Sequence, residues 1–260
     1  MLLAQQQPRT AGDRRPSLWF IVPCHGRLEL ARTCLRQLRR TCDTLTGNGV
    51  DASAIIIAAD GNLDTARELG FGTVERDNVP LGRKWNDGYQ VAGRTGVDYA
   101  VPFGSDDWID PALILSRGMP ENGTIGCHRQ AAFVREDGQR IAPLQIPYDG
   151  GVGVRIIPVP LLWRLGYRPA EEDRQRAIDT SVLVRIREAH PRGTVRLAYH
   201  DLHQYQIVDW KSDTQLNAYR DCLGYLDGEE NHDPWAALAE HYPAEALDEM
   251  QAVYRVPVAA

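Results

Sequence analysis

Residues 78–111 read N-V-P-L-G-R-K-W-N-D-G-Y-Q-V-A-G-R-T-G-V-D-Y-A-V-P-F-G-S-D-D-W-I-D-P. A Gly-containing turn, a short helix closed by Gly93 or Gly96 and a buried strand from Tyr99 to Phe103 lead to two adjacent carboxylates, Asp106 and Asp107. A strand that delivers acids to its carboxyl end belongs to an open α/β sheet, where ligands bind in the crevice beyond the strand ends. Neighbouring carboxylates raise each other's pKa unless a cation neutralises them. A hard divalent ion does so through one or two carboxylates and the oxygens of a substrate diphosphate.

Working upstream, Leu18 to Val22 is an apolar run suited to a strand buried on both faces, followed by the turn Pro23-Cys24-His25-Gly26-Arg27. Leu28, Ala31, Leu35 and Leu38 recur at helical spacing, and Arg32, Arg36, Arg39 and Arg40 lie elsewhere on that helix, as a solvated basic face or as a contact for a phosphorylated acceptor or nucleic acid. Ala54 to Ala59 reads as a second strand, with Asp60 and Gly61 at its end and Asn62 as the cap of a short helix that stops at Gly70. A further short strand spans Phe71 to Glu75. This alternation predicts a mostly parallel α/β sheet sandwiched by helices. Neither G-x-x-x-x-G-K-[ST] nor G-x-G-x-x-G occurs, so diphosphate binding falls to a metal, to Arg and Lys, or to both.

Downstream, Ile125 to Val134 and Arg140 to Ile146 flank Asp137-Gly138 as a predicted hairpin, and the Pro- and Gly-rich piece from Pro147 to Pro160 reads as a mobile loop over the site. Glu171, Glu172 and Asp173 read as a helix start. Val195 to His200 and Gln204 to Val208 read as strands, and residues 214–254 as helical, with Pro234 and Pro243 in first turns. The organisation expected is an arm over 1–16, one α/β domain over 17–212 and a small helical C-terminal appendage over 213–260, which packs on the domain or serves as an oligomer contact.

With 260 residues, 43% hydrophobic and 25% charged, the chain can bury a real core. A net charge of -6 gives no global footprint for nucleic acid. Five cysteines without a C-x-x-C pair or zinc spacing read as buried thiols of a reducing compartment. No signal-peptide pattern or membrane span is legible, so a cytoplasmic location is expected.

The run from Asn86 to Pro111 resembles the core of the family 2 inverting glycosyltransferases of GT-A, Rossmann-like fold, which read R-N-x-G, then a strand, then D-S-D-D-x-x-x-P. Asn86, Gly88, Ser105, Asp106, Asp107 and Pro111 fall on that pattern, while Trp85 and Gly104 depart from it. The resemblance implies Mn²⁺ or Mg²⁺ on Asp106, with Asp107 and a late histidine, His200 or His203, completing the shell. It implies a nucleoside-diphosphate sugar donor, a UDP-sugar by analogy, held by Pro23, His25, Arg27, Asp60, Gly61, Asn86, Ser105 and Asp106. Asp60 then meets the base, and Arg83 and Lys84 stand in for the missing arginine. In A-I-D-T-S-V-L-V-R-I, Asp179, Leu183, Arg185 and Ile186 resemble the family segment whose Asp is the general base, while Ile178 and Ser181 depart. The implied activity is metal-dependent hexosyl transfer to an acceptor hydroxyl on a protein, a glycan, a small molecule or a modified nucleic acid. Two other readings stand beside it: a non-catalytic nucleotide-sugar binding or assembly protein, and a sugar-1-phosphate nucleotidyltransferase. The latter calls for a Gly-rich loop where this chain has P-C-H-G-R.

Overall fold

The apolar run at the start of the domain forms β1 (Ser17–Pro23), which pairs in parallel with β2 (Asp51–Ala58) on one side and β4 (Tyr99–Pro102) on the other. Flanked by strands on both edges and buried on both faces, it has no place for a polar side chain between Leu18 and Val22. The structure is a computed structural model that describes residues 14–145, 154–200, 205–211, 223–225 and 228–255. Among these, no helix is long and apolar enough to cross a membrane.

Each strand hands over to a helix whose ends follow from local chemistry. In α1 (Leu28–Gly47), Ala31, Cys34, Leu35, Leu38, Cys42 and Leu45 form the buried stripe. In α2 (Asn62–Glu68) the capping oxygen comes from Asp60, which accepts the Asn62 backbone N–H at 3.1 Å, and not from Asn62 itself. After β3 (Gly72–Glu75), α3 (Leu81–Thr95) ends at Gly96, whose φ of 71° is left-handed. Gly93 instead lies inside the helix against the Tyr167 ring, where a Cβ would come within 2.3 Å of ring carbons.

The remaining strands form two sheets. Past β5 (Asp107–Ile109) and α4 (Pro111–Arg117), β6 (Thr124–His128) enters the large sheet, while β7 (Gln130–Val134) and β8 (Ile141–Gln145) pair as a hairpin in a second one. The apolar stretch 125–134 is therefore divided between two sheets at His128–Gln130, where one continuous hairpin arm was expected. The Pro- and Gly-rich piece also departs from expectation. Its residues 146–153 lie outside the described set, but its second half is β9 (Arg155–Pro158), wedged antiparallel between β4 and β6. Ile156 and Ile157 point to opposite faces of the sheet and enter different cores, and this makes so short a segment a central strand.

After a 3-10 turn over Val159–Leu165 come α5 (Ile178–Ala189), β10 (Arg196–His200) and β11 (Ile207–Trp210), then α6 (Pro234–Leu238) and α7 (Ala244–Arg255). The large sheet runs β10-β6-β9-β4-β1-β2-β3 and the smaller one β5-β11-β7-β8. The result is a mostly parallel sheet sandwiched by helices with a small helical C-terminal appendage. That appendage packs Tyr242, Ala246, Leu247 and Met250 against Trp108, Trp210 and the Leu30 and Cys34 side of α1. The basic face of α1 takes part in this docking, since Arg40 and Arg36 reach Glu249 of α7 at 2.7 and 3.9 Å. Arg32 and Arg39 pair within α1, with Glu29 and Asp43.

Candidate functional site

The crevice at the carboxyl ends of β1, β2 and β4 is tied together by side chains from the connecting turns. Between β1 and α1 the chain passes through two left-handed residues, Gly26 at φ 59° and Arg27 at φ 46°. Asp60, at the end of β2, accepts the Gly26 backbone N–H at 2.7 Å and the Asn62 side-chain amide at 2.7 Å. Burial works to raise the Asp60 pKa, but these donors outweigh it and hold the carboxyl below its usual range. From the left-handed turn Arg27 extends to Asp106, Nη1 to Oδ2 at 2.7 Å, and donates through Nη2 to Ser105 Oγ at 3.2 Å.

The acids themselves stand on paired strands. β5 and β11 are antiparallel, with Asp107 directly opposite Asp209, and the Trp210 backbone N–H donates to the Asp106 carbonyl at 2.9 Å. Like charges facing each other across a ladder destabilise it, so the arrangement calls for a cation. Oxygens of Asp106, Asp107 and Asp209 all lie within 4.8 Å of one another. Lys211 Nζ contacts Asp209 Oδ2 at 2.5 Å, and the Gly104 backbone N–H donates to Asp107 Oδ2 at 2.7 Å. Burial, then Asp209 and Asp106, push Asp107 well above the usual carboxylate range; burial raises Asp209 too, against the pull of Lys211. Asp209 Oδ1 is buried without a hydrogen-bond partner. An oxygen-only donor set with an orphaned carboxylate oxygen fits a hard divalent cation such as Mg²⁺ or Mn²⁺. Gly104 has its own reason here: a Cβ would lie 2.8 Å from both Asp106 Oδ1 and Asp107 Oδ2. The missing side chain leaves room for the two carboxylates below it.

The other expected site residues are placed as follows. Pro23 ends β1 in register with Ile57, His25 is largely exposed with Nδ1 3.8 Å from Asp60, and Gly61 packs on Leu28. Lys84 is fully buried, donating to the Cys24 carbonyl and, at 3.2 Å, to Asn78 Oδ1; burial lowers its pKa. Asn86 is buried too, its amide engaging both the Ala170 N–H and C=O at 2.9 and 3.0 Å. Arg83 turns away to Glu172 and Asp173. Those acids belong to an irregular segment, where a helix start was expected, and the helix begins at Ile178. Asp179, in the first turn of α5, is held by the buried Arg155 of β9, which donates to its carbonyl at 2.6 Å and approaches Oδ2 at 3.4 Å. No hydrogen bond or ion pair among the described residues joins Asp179 to the three acids. The His200 side chain and His203 lie outside the described residues. Asp209 and Arg155 were not anticipated; the available signal was an acid two residues before a lysine in an otherwise apolar strand, Ile207-Val208-Asp209-Trp210-Lys211.

No protein-family model matches the chain, and no curated protein matches it. Among solved structures, S. aureus TarS superposes with a TM-score of 0.52 at 12% identity, covering 75% of this chain and 37% of that one. The present chain thus spans little more than a third of that structure's length. A Drosophila β-1,4-galactosyltransferase 7 variant, in complex with manganese, UDP-Gal and xylobiose, gives 0.49 at 12% identity over 90% and 83% of the two chains. The inositol-1-phosphate CTP transferase of T. maritima gives 0.43 at 14% identity over 96% and 99%. At such identities the likeness is one of fold, and the TarS superposition carries it.

Proposed function

We propose that this chain binds a nucleoside-diphosphate sugar at the carboxyl ends of β1, β2 and β4 through a divalent cation held by Asp106, Asp107 and Asp209. The observation that carries the reading is the facing pair Asp107 and Asp209, with Asp106 beside them and one buried oxygen left unsatisfied. A bound Mn²⁺ or Mg²⁺ supplies neutralisation of the diphosphate as a leaving group. Arg27 orients Asp106 and Ser105, and Lys211 holds Asp209. Asp60 shapes the turn on which the base rests; its Oδ1 accepts twice from Asn62, and its Oδ2 keeps a lone pair beyond the one engaged by Gly26.

The finer reading is inverting transfer of the sugar to an acceptor hydroxyl. Asp179 takes the acceptor proton as the oxygen attacks the anomeric carbon, the bond from that carbon to the diphosphate oxygen breaks and the nucleoside diphosphate leaves from the opposite face, while Arg155 keeps the Asp179 carboxylate in place from inside the sheet. A second reading, binding without turnover, is favoured by the same contact, because the Asp179 carboxylate already has a cationic partner.

A thermal-shift titration with UDP, GDP, dTDP and CDP, with and without Mn²⁺, tests the binding reading on wild type and Asp106→Ala. A ligand at a hundred times its dissociation constant adds about 2.7 kcal/mol. The expected result is a metal-dependent rise for one nucleotide that disappears in the variant; no rise with any of them overturns the proposal. For the transfer step, Asp179→Asn is expected to keep the nucleotide-dependent rise and lose about 10² to 10⁴ in rate. Wild type that binds the donor and turns over nothing sustains the second reading.

A further inference from the structure

We propose that Tyr254 is a positioning residue of the acidic centre, which makes the C-terminal helix α7 a working part of the cation site. This rests on the cation reading of Asp106, Asp107 and Asp209. Asp209 is the third acid and the one contributed by β11, so whatever fixes that strand fixes its carboxylate.

Along both edges β11 is held by backbone bonds: Trp210 N–H to the Asp106 carbonyl at 2.9 Å on the β5 side and Lys211 N–H to the Val134 carbonyl at 3.0 Å on the β7 side. Its carboxyl end is held from the C-terminal segment. The Tyr254 hydroxyl donates to the Lys211 carbonyl at 2.7 Å, and its ring leans on Trp210 and Trp235 with centroids 5.8 and 6.4 Å away. The turn between β7 and β8 makes room for it, since a Cβ on Gly138 would stand 3.0 Å from the Tyr254 ring. Just ahead of β11, the Tyr242 hydroxyl donates to the Gln206 carbonyl at 3.1 Å, and that carbonyl also accepts the Asp110 N–H at 2.8 Å. Both ends of the strand that carries the third acid are therefore pinned by tyrosines of the C-terminal segment.

The electrostatics agree with this placement. Burial first, then Cys34, Asp209 and Asp106, push the Tyr254 phenol well above its usual range, so it stays a proton donor facing the carbonyl. A functional constellation tolerates displacements of only about 0.5 Å, so loosening β11 withdraws Asp209 from the other two acids. The sheet would survive such a shift, but the cation site would not.

Tyr254→Phe keeps the ring and its stacking and removes only the bond to the Lys211 carbonyl. The test is a Mn²⁺ titration, reading free ion by its paramagnetic resonance, on the whole chain well below its melting temperature, with wild type and Asp209→Asn alongside. Losing an outer-shell support of this kind is expected to weaken Mn²⁺ binding about tenfold. Equal Mn²⁺ affinity in Tyr254→Phe and wild type, whatever the melting temperature does, overturns the inference and leaves the cation site standing. Wild type that takes up no Mn²⁺ overturns the cation reading itself, and this inference with it. Should Tyr254→Phe fail to fold, Tyr242→Phe frees the opposite end of β11, and the same loss is expected of it.

Discussion

Asp60 shows how much one carboxylate in the crevice does before any ligand arrives. It joins the turn after β1 to the turn after β2, and its donors hold it below the usual carboxylate pKa. A group whose folded pKa is depressed adds stability above its unfolded value, near ~4, and that stability is lost as the pH falls through the folded value. Asp60→Ala is therefore expected to cost about 1–3 kcal/mol at neutral pH, with the gap to wild type narrowing in more acid solution. Urea melts at about pH 7 and about pH 3 measure it; a gap that stays constant would mean the turn, and not the charge, is what the residue supplies. At this scale the sequence was informative where chemistry is local. Asp106 and Asp107 announce themselves as neighbours after a strand, whereas Asp209 becomes their neighbour only through a cross-strand register that no short window contains. Gly104, a departure in the family pattern, makes physical sense once the two carboxylates below it are seen.

Among the elements, α3 is held closely at its amino end. Its amino end is closed by the segment after Ala170: the Gly82 N–H donates to the Arg174 carbonyl at 2.9 Å and the Leu81 N–H to the Gln175 side chain at 3.3 Å. A Cβ on Gly82 would fall 1.8 Å from the Glu171 carbonyl oxygen, which is backbone and cannot rotate aside. Gly82→Ala is thus expected to destabilise the fold by about 1–3 kcal/mol although Ala is the better helix former, as equilibrium denaturation would show. An unchanged or raised stability would mean that the segment after Ala170 gives way. The acids Glu171, Glu172 and Asp173 looked like a helix start because acids favour that position. They are instead spent on Arg174, Arg168 and Arg83, cations that surround the segment in space. β9 was missed for a related reason: four residues between a Gly-rich stretch and a proline carry too little periodicity to register as a strand, and burial on both faces supplies the rest.

At the scale of the whole molecule, residues of both sheets meet in one core, where Ile109, Ala131 and Ile207 pack with Phe20, Ile56 and Val101. The two faces of the large sheet are expected to unfold together, and the cysteines offer a way to see it. Burial pushes Cys24 and Cys42 up to about 12 and Cys127 up to about 11, so all three are poor nucleophiles until exposed. Cys42 belongs to the core on the α1 side of the large sheet and Cys127 to the core on the α3 and α5 side. Pulsed alkylation in rising urea, read site by site, should label them at one common midpoint; separate midpoints would mean separate units. The placement of β9 has a further consequence, in the order of synthesis. As the chain leaves the ribosome, β1 to β4 can assemble as soon as they emerge, but β6 has no seat until β9 arrives and bridges it to β4. Until then the nascent sheet ends at β4 with an open edge, the kind of surface that invites pairing with a foreign strand. Translation through the segment that precedes β9 is thus the interval in which this protein most needs a chaperone.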